Sequence, residues 1–291
     1  MAVIIAYEGV FMNVPVRVAF LVSLAMLAFA GNSLLCRVAL RDTAIDAASF
    51  TSIRLVSGAL MLAALVLARG ARPLAAGSWV GGAALFGYAA AFSFAYRELS
   101  AATGALLLFG SVQTAMIAWG VARGERPRPL QIAGLALAIG GLVYLLLPGL
   151  SAPPAKGAAF MIAAGISWAV YTLAGRGAGD PGHTTAGNFL RAVPLAAVLS
   201  LAAASQARLD GTGVAYAVAS GAITSGLGYV LWYAVLPSFS ATGAAAIQLS
   251  VPAIAAVGGV LLLGEPLSSR IVIATLAILG GIALTILRRR A

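Results

Sequence analysis

The sequence predicts an all-α polytopic membrane protein of ten transmembrane helices, built as two inverted five-helix repeats. Three observations carry that expectation. Of the 291 residues, 62% are hydrophobic and only 9% charged, with a mean hydropathy of +1.01; soluble domains carry about 25% charged residues. Ten apolar runs, each near the roughly 20 residues that a helix needs to cross a bilayer, are separated by charged or Pro/Gly breaks. The chain also repeats itself with a period near 139 residues. A membrane barrel would alternate polar and apolar residues, and these unbroken runs do not. Ten crossings leave only short loops, with no room for a separate soluble domain.

The runs are read in order, each ending at a break. Residues 1–15 form a short N-terminal tail, in which Met12 offers a second start. The first span, 16–38, resembles a signal peptide, with Arg17 ahead of its apolar stretch and Ala28-Phe29-Ala30 as a small-residue site. Its apolar pattern continues through Leu34, Leu35 and Val38 and recurs in mid-chain, so it is read as an uncleaved helix. The second span, 46–68, stops at Arg69 to Pro73. The third and fourth, 77–97 and 101–122, are divided by a short turn. The Gly-Glu-Arg-Pro-Arg-Pro run at 124–129 opens the fifth, 129–147, whose leading proline loses nothing by lacking an N–H. A linker, 148–155, runs from Pro148 past Pro154 to the sixth span, 156–175. Gly179-Asp180-Pro181-Gly182 then introduces the seventh, 184–204. The eighth and ninth, 212–236 and 241–263, are again closely joined, and the tenth, 269–287, ends in a basic tail, 288–291.

The formal charge of +10 comes from single basic residues and one Arg triplet at the ends of these runs. Nucleic-acid binding would need a basic face with aromatic platforms, and no such pattern exists. Basic residues instead orient the helices. With the N-terminus inside, Arg17, Arg69, Arg72, Arg123, Arg126, Arg128, Arg176, Arg288, Arg289 and Arg290 lie at inner ends. Arg37, Arg41, Arg97, Lys156, Arg208 and Arg270 lie at outer ends. Ten against six places both termini in the cytoplasm. The lone Cys36 cannot form an internal disulfide and reads as a small packing residue.

The repeat is carried by polar landmarks as well as apolar ones. Ala102-Thr103-Gly104-Ala105 returns as Ala241-Thr242-Gly243-Ala244, and Gly124-Glu125 with Pro127 returns as Gly264-Glu265-Pro266. Gly140-Gly141 returns as Gly280-Gly281, Phe29 and Arg37 align with Trp168 and Arg176, and Arg54 aligns with Arg191. Five spans per half is an odd number, so the second half must enter the membrane from the opposite side. Inverted repeats of this kind recur in secondary transporters, whose two halves rock around a shared midplane site.

Two tandem five-helix halves of this kind resemble EamA-type members of the drug/metabolite transporter superfamily. In each, an Arg stands early in the second helix, Ala-Thr-Gly-Ala opens the fourth, and Gly-Glu follows it. The resemblance covers residues 16–147 and 156–287 as two EamA-like units. It implies a ten-helix exporter of amino acids, aromatic ones included, or of other small metabolites through a central cavity. Carriage of a nucleotide sugar or lipid-linked solute within the same superfamily is the alternative. A non-transporting scaffold would share the composition but would leave an inverted duplication without a reason. The expected partners are a small-molecule substrate and the lipid bilayer, with no nucleic acid and no obligatory protein partner.

Catalytic and cofactor patterns are missing. There is no phosphate loop, no metal-binding His-Glu-x-x-His, and no buried base beside a serine, so neither enzyme activity, metal nor cofactor is expected. His183 stands alone beside a loop and reads as solvated. Glu125 and Glu265 fall on opposite sides and cannot share a site. All eight acids, Glu8, Asp42, Asp46, Glu98, Glu125, Asp180, Asp210 and Glu265, lie in loops or at span ends. Without a carboxylate at mid-depth there is no obvious proton relay, which points to facilitated transport.

The candidate substrate-binding residues are the polar and aromatic groups at mid-depth: Asn32, Tyr88, Gln113, Trp168, Tyr171, Tyr229 and Gln248. Amides in hydrocarbon must find a partner and so face the interior, where either substrate or another helix can serve. Gln248 aligns with Phe109, one turn from Gln113. Tyr88 with Phe92, Trp168 with Tyr171, and Tyr229 with Trp232 and Tyr233 can wall a cavity or simply pack; the hydroxyls favour the cavity. Ser111, Ser225 and Ser250 are weaker candidates of the same kind. Trp79, Trp119 and Tyr216 near span ends read as interfacial anchors. Gly77 with Gly81, and the two Gly-Gly pairs, allow close helix approach, while Gly226, Gly228 and Pro252 are possible bending points. Arg54 and Arg191 are the only charges well inside spans. Either can bind a substrate carboxylate or satisfy helix ends by snorkelling; their presence in both halves favours the structural role, outside the core site.

Overall fold

The computed structural model of the chain describes residues 2–3, 14–124, 129–148, 152–175, 179–235, 238–239, 247–248 and 250–286. Ten helices form among the described residues. They are α1 (Val16–Asp42), α2 (Ala47–Ala68), α3 (Trp79–Tyr96), α4 (Ala101–Ala122), α5 (Pro129–Leu146), α6 (Ala155–Ala174) and α7 (Pro181–Ala202). There follow α8 (Gly211–Val235), α9 (Ser250–Leu263) and α10 (Ser269–Ile286). The first eight are long and apolar enough to cross a membrane; α9 and α10 are shorter apolar helices. Ile247 and Gln248 are also helical just ahead of α9. In the N-terminal tail Ala2–Val3 pairs antiparallel with Val14–Pro15. Glu8, Met12, Glu125, Arg126, Pro127, Arg128, Arg176, the second Ala-Thr-Gly-Ala at 241–244 and the Arg triplet at 288–290 lie outside the described residues.

Among the described residues, the C-terminal end of α1 and the N-terminal end of α7 differ from the expected spans by three or four residues. α1 runs on to Asp42 because its last turn is held by other parts of the chain: Arg41 Nη1 donates to the Leu263 carbonyl at 2.9 Å. α7 begins three residues earlier than position 184, at Pro181, because Asp180 is its N-cap and accepts from the His183 N–H at 2.7 Å. Proline following an aspartate cap is a favoured helix start. Ser78 caps α3, Ser100 caps α4, and Asp210 caps α8 in the same manner.

The packing is two-fold. Across the halves α5 lies along α10, α2 along α7, and α4 along α9; α3 packs on α6 as α1 packs on α8, and α4 on α6 as α1 on α9. Exchanging each helix with the one five later leaves this set unchanged. Pairs that map onto themselves straddle the axis. With five helices per half, the halves are inverted relative to each other.

Small residues set the close approaches. At each Gly-Gly pair one glycine faces the partner helix: a Cβ on Gly141 would stand 2.9 Å from Ala277 Cβ, and one on Gly281 would stand 2.5 Å from the Gly134 carbonyl. The other members, Gly140 and Gly280, face open space. Gly81 and Gly82 likewise seat α3 against Asn188 and Arg191 of α7. The outward face is apolar, with Leu201, Leu261 and Leu276 about 70–80% exposed, as lipid contact requires.

Candidate functional site

The helices around the axis enclose a cavity at mid-depth. It is lined by Phe29, Asn32 and Ser33 of α1, Tyr88 and Phe92 of α3, and Leu108, Phe109 and Val112 of α4. Trp168 of α6, Thr224 and Tyr229 of α8, and Gln248 complete it. The aromatic walls come as repeat-related pairs. Trp168 packs on Tyr88 with ring centroids 4.8 Å apart, and Phe29 packs edge-on to Tyr229 at 5.8 Å. Trp168 also reaches Tyr229, at 5.2 Å, so the pairs join across the axis. Phe109 and Gln248, which align under the repeat, both face the same space.

A polar network forms the wall between α1, α2, α3 and α8. Asn32 Nδ2 donates to the Tyr88 hydroxyl at 3.3 Å, and Ser220 Oγ donates to Asn32 Oδ1 at 2.7 Å. Residues Ala219–Leu227 of α8 form a π-helical stretch, with the Gly228 N–H bonded to the Ile223 carbonyl. This wider turn brings Ser220 and Thr224 to Asn32 while Ser225 accepts from Arg54 Nε at 3.3 Å. π-stretches frequently occur at functional sites.

Arg54 is 1% exposed. Its Nη2 donates to the Tyr88 hydroxyl at 3.3 Å, and its guanidinium carbon lies 5.2 Å from the Tyr88 ring centre and 5.1 Å from that of Phe92. Its Nη1 has no hydrogen-bond partner. Arg191 is different: it donates to the carbonyls of Ala76, Gly187 and Leu74 at 2.7, 3.0 and 3.1 Å. The expected structural role therefore fits Arg191. Arg54 lies directly behind the cavity wall instead of reaching an interface, because its side chain turns inward between α3 and α8.

Between the cavity and one end of the bundle the chain is tied by charge. Glu265 is only 8% exposed although it sits in a turn; it accepts from Arg37 Nε and from the Ala101 N–H, both at 2.7 Å. Arg37 also donates to the Tyr96 carbonyl at 2.9 Å. At the opposite end Asn188 Oδ1 accepts from the Ser78 N–H at 2.8 Å. There His183 Nε2 meets the Arg72 carbonyl, so this histidine is tied to the α2–α3 loop rather than merely solvated.

The sequence profile of the EamA-like transporter family matches residues 16–147 and again residues 155–287. The chain belongs to the EamA-like transporter family. An uncharacterized protein of Pseudomonas aeruginosa is 60% identical over 274 residues, covering 94% of this chain and 96% of that one. The threonine/homoserine exporter RhtA of Salmonella typhimurium is 33% identical over 172 residues, 55% of this chain and 57% of its own. One crystal structure superposes with a TM-score of 0.65 over 92% of this chain and 96% of its own, at 21% identity, which shows a shared fold.

Within this EamA-like transporter, Asn32, Tyr88, Trp168, Tyr229 and Gln248 meet at one cavity. Tyr171 lies one layer back, 3% exposed, its ring 5.3 Å from that of Trp168. Gln113 is half-buried on α4 and does not line the space; Phe109 and Val112 do. Ser111 packs against Gly165, and Ser250 donates to the Ile247 carbonyl. Trp79 and Trp119 are exposed at helix ends, as anchors are, and Cys36 is fully buried. The sequence reading does not single out Phe29, Ser33, Leu108, Phe109, Val112 or Thr224, which also line the space. Two of these had a usable signal in the repeat, since Phe29 aligns with Trp168 and Phe109 with Gln248.

Proposed function

We propose that this transporter exports amino acids, including aromatic ones, across the bacterial inner membrane by alternating access. The observation that carries this reading is the aromatic cavity with a polar wall at the junction of the two halves. Flat aromatic walls with a few polar handles suit a small zwitterion with an apolar side chain. The similarity to a threonine/homoserine exporter over part of the chain supports the amino-acid class. In size and layout the chain also resembles the aromatic amino-acid exporter YddG.

The units 16–147 and 156–287 would be the moving halves. As packed, the cavity leaves room for only a few waters. An amino acid therefore enters when the halves part, and the Arg37–Glu265 closure is one contact that must release. The excess of Arg at one set of ends supports a reading with both termini in the cytoplasm and Glu265 on the periplasmic side.

The test is counterflow in liposomes. Purified protein loaded with unlabelled phenylalanine or threonine should accumulate the labelled amino acid, and protein-free vesicles should not. Absence of counterflow for every amino acid, with correctly inserted protein, would exclude the amino-acid reading.

A further inference from the structure

Arg54 presents a charge that no carboxylate among the described residues balances. None of the ion pairs among the described residues involves it; the carboxylates pair with Arg37 and Arg41 at one end of the bundle. The titratable groups around it, Tyr88, Tyr229 and Cys36, are uncharged in their ordinary protonated forms. A guanidinium keeps its proton in proteins, so it does not escape burial by becoming neutral. Buried charges are ordinarily paired because leaving water is costly. Here the aromatic faces of Tyr88 and Phe92 compensate in part, and Nη1 remains without an acceptor.

The neighbouring hydroxyl points to the same missing group. The Tyr88 oxygen accepts from both Arg54 Nη2 and Asn32 Nδ2. Two donors on that oxygen leave the Tyr88 O–H proton available to an acceptor on the cavity side, where Tyr88 lines the space. Asn32 Oδ1 is itself occupied by Ser220 and Thr224. A buried cation and an oriented hydroxyl donor therefore adjoin one cavity, and neither has an anionic partner among the described residues.

We propose that Arg54 and Tyr88 form the receptor for the substrate's carboxylate, with Arg54 supplying the charge and Tyr88 the hydrogen bond that faces the cavity. A carboxylate fits better than a phosphate. A single cation matches a single negative charge, and a phosphate dianion would leave a second charge unbalanced among aromatic walls. Arg54 acts through Tyr88: its Nη2 donates to the Tyr88 oxygen, which makes the hydroxyl facing the cavity a stronger donor to an anion. Arg191 has no such role, since its donors are taken by backbone carbonyls. This inference rests on the amino-acid reading only for the identity of the carboxylate's bearer.

Two measurements test it separately. In liposomes, phenylalanine and threonine are compared with their carboxamides, which lack the negative charge. The full-length protein should prefer each acid over its amide by about tenfold or more. Arg54→Met should lose that preference, Arg54→Lys should retain part of it, and Tyr88→Phe should reduce it. In detergent, benzoate and benzamide are compared by thermal shift. Benzoate should stabilise the parent protein and Tyr88→Phe to different extents, and should not stabilise Arg54→Met. If Arg54→Met still transports and still prefers the acid, the receptor assignment is wrong and amino-acid transport stands. If no amino acid is carried but benzoate stabilises the parent protein in an Arg54-dependent way, the receptor stands and the amino-acid reading falls. Absence of both effects overturns both. Should Arg54→Met fail to fold, the proposal rests on Tyr88→Phe and Arg54→Lys, and an unchanged acid preference in both defeats it.

Discussion

Arg37 and Glu265, separated by 228 residues in sequence, meet at 2.7 Å between Nε and Oε1. The contact joins α1 to the turn between α9 and α10, and the second Glu265 oxygen holds the first N–H of α4. Three parts of the bundle therefore depend on one buried carboxylate. Glu265→Gln should lower unfolding stability by about 3 kcal/mol, the usual scale for breaking a buried pair. It should also open this end of the cavity. In a Cys36→Ala background, Ser33→Cys should react faster with an impermeant thiol reagent when Glu265→Gln is present; an unchanged rate would mean that the pair does not close this end.

Asp210 gives this same end a dependence on acid. It caps α8 through the Gly213 N–H and also accepts from the Ala44 N–H, both at 2.8 Å. The Gly213 hydrogen bond first, then those of Thr43 and Ala44, outweigh desolvation and hold its carboxyl below the ordinary aspartate range. A carboxyl depressed on folding stabilises the fold above its unfolded pKa, and that contribution disappears as pH falls through the folded value. Asp210→Asn should therefore melt at a lower temperature than the parent at pH 7. The gap should be constant from pH 8 to 5 and narrow below about pH 4. A gap that persists unchanged in acid would assign the effect to shape, not charge.

Gly221 governs how α8 meets α2. A Cβ there would collide with the Arg54 carbonyl and Ser57 Oγ. Gly221→Ala should cost about 1–3 kcal/mol of stability through overpacking. Because Ser225 lies one turn further along the π-stretch and accepts from Arg54, transport should fall as well. A variant with normal melting and normal flux would show that the two helices can part without penalty.

Trp168 is the central aromatic wall, touching Tyr88, Tyr171 and Tyr229. Trp168→Ala should weaken substrate affinity by about tenfold, from loss of ring contacts worth about 0.5–1.5 kcal/mol beyond area alone. Trp79→Ala, at an exposed helix start, should leave affinity unchanged. Gln113→Ala should also have little effect, since the residue stands outside the lining. Equal affinities in the parent and Trp168→Ala would remove the tryptophan from the site.

Among the described residues no acidic side chain lies at mid-depth; Asp42, Asp46, Glu98, Asp180, Asp210 and Glu265 are all at helix ends or turns. A net-neutral amino acid should therefore move down its own gradient in liposomes without an imposed pH difference or potential. Flux that stops when both are removed would show that a proton relay exists.

The sequence by itself determined the class of the molecule, because bilayer solvation is a coarse constraint. A 62% apolar chain with ten runs of membrane length can only satisfy its backbone as helices. The duplicated Gly-Gly and Gly-Glu landmarks further required two related halves. Cavity-lining residues were legible where polarity in hydrocarbon turned a side chain towards the axis, as for Asn32, Tyr88 and Gln248 but not for Gln113. Tertiary structure alone decided which turn of each helix faces the axis. It placed Phe109 rather than Gln113 on the cavity, and it added Phe29, which sequence polarity cannot mark. It also separated two arginines that the repeat makes equivalent. Arg191 reaches backbone carbonyls at the α2–α3 loop, whereas Arg54 turns into the core between Tyr88 and Ser225. Such rotation depends on packing between distant segments, here on a π-stretch and a glycine contact in α8, and no local pattern in the chain encodes it.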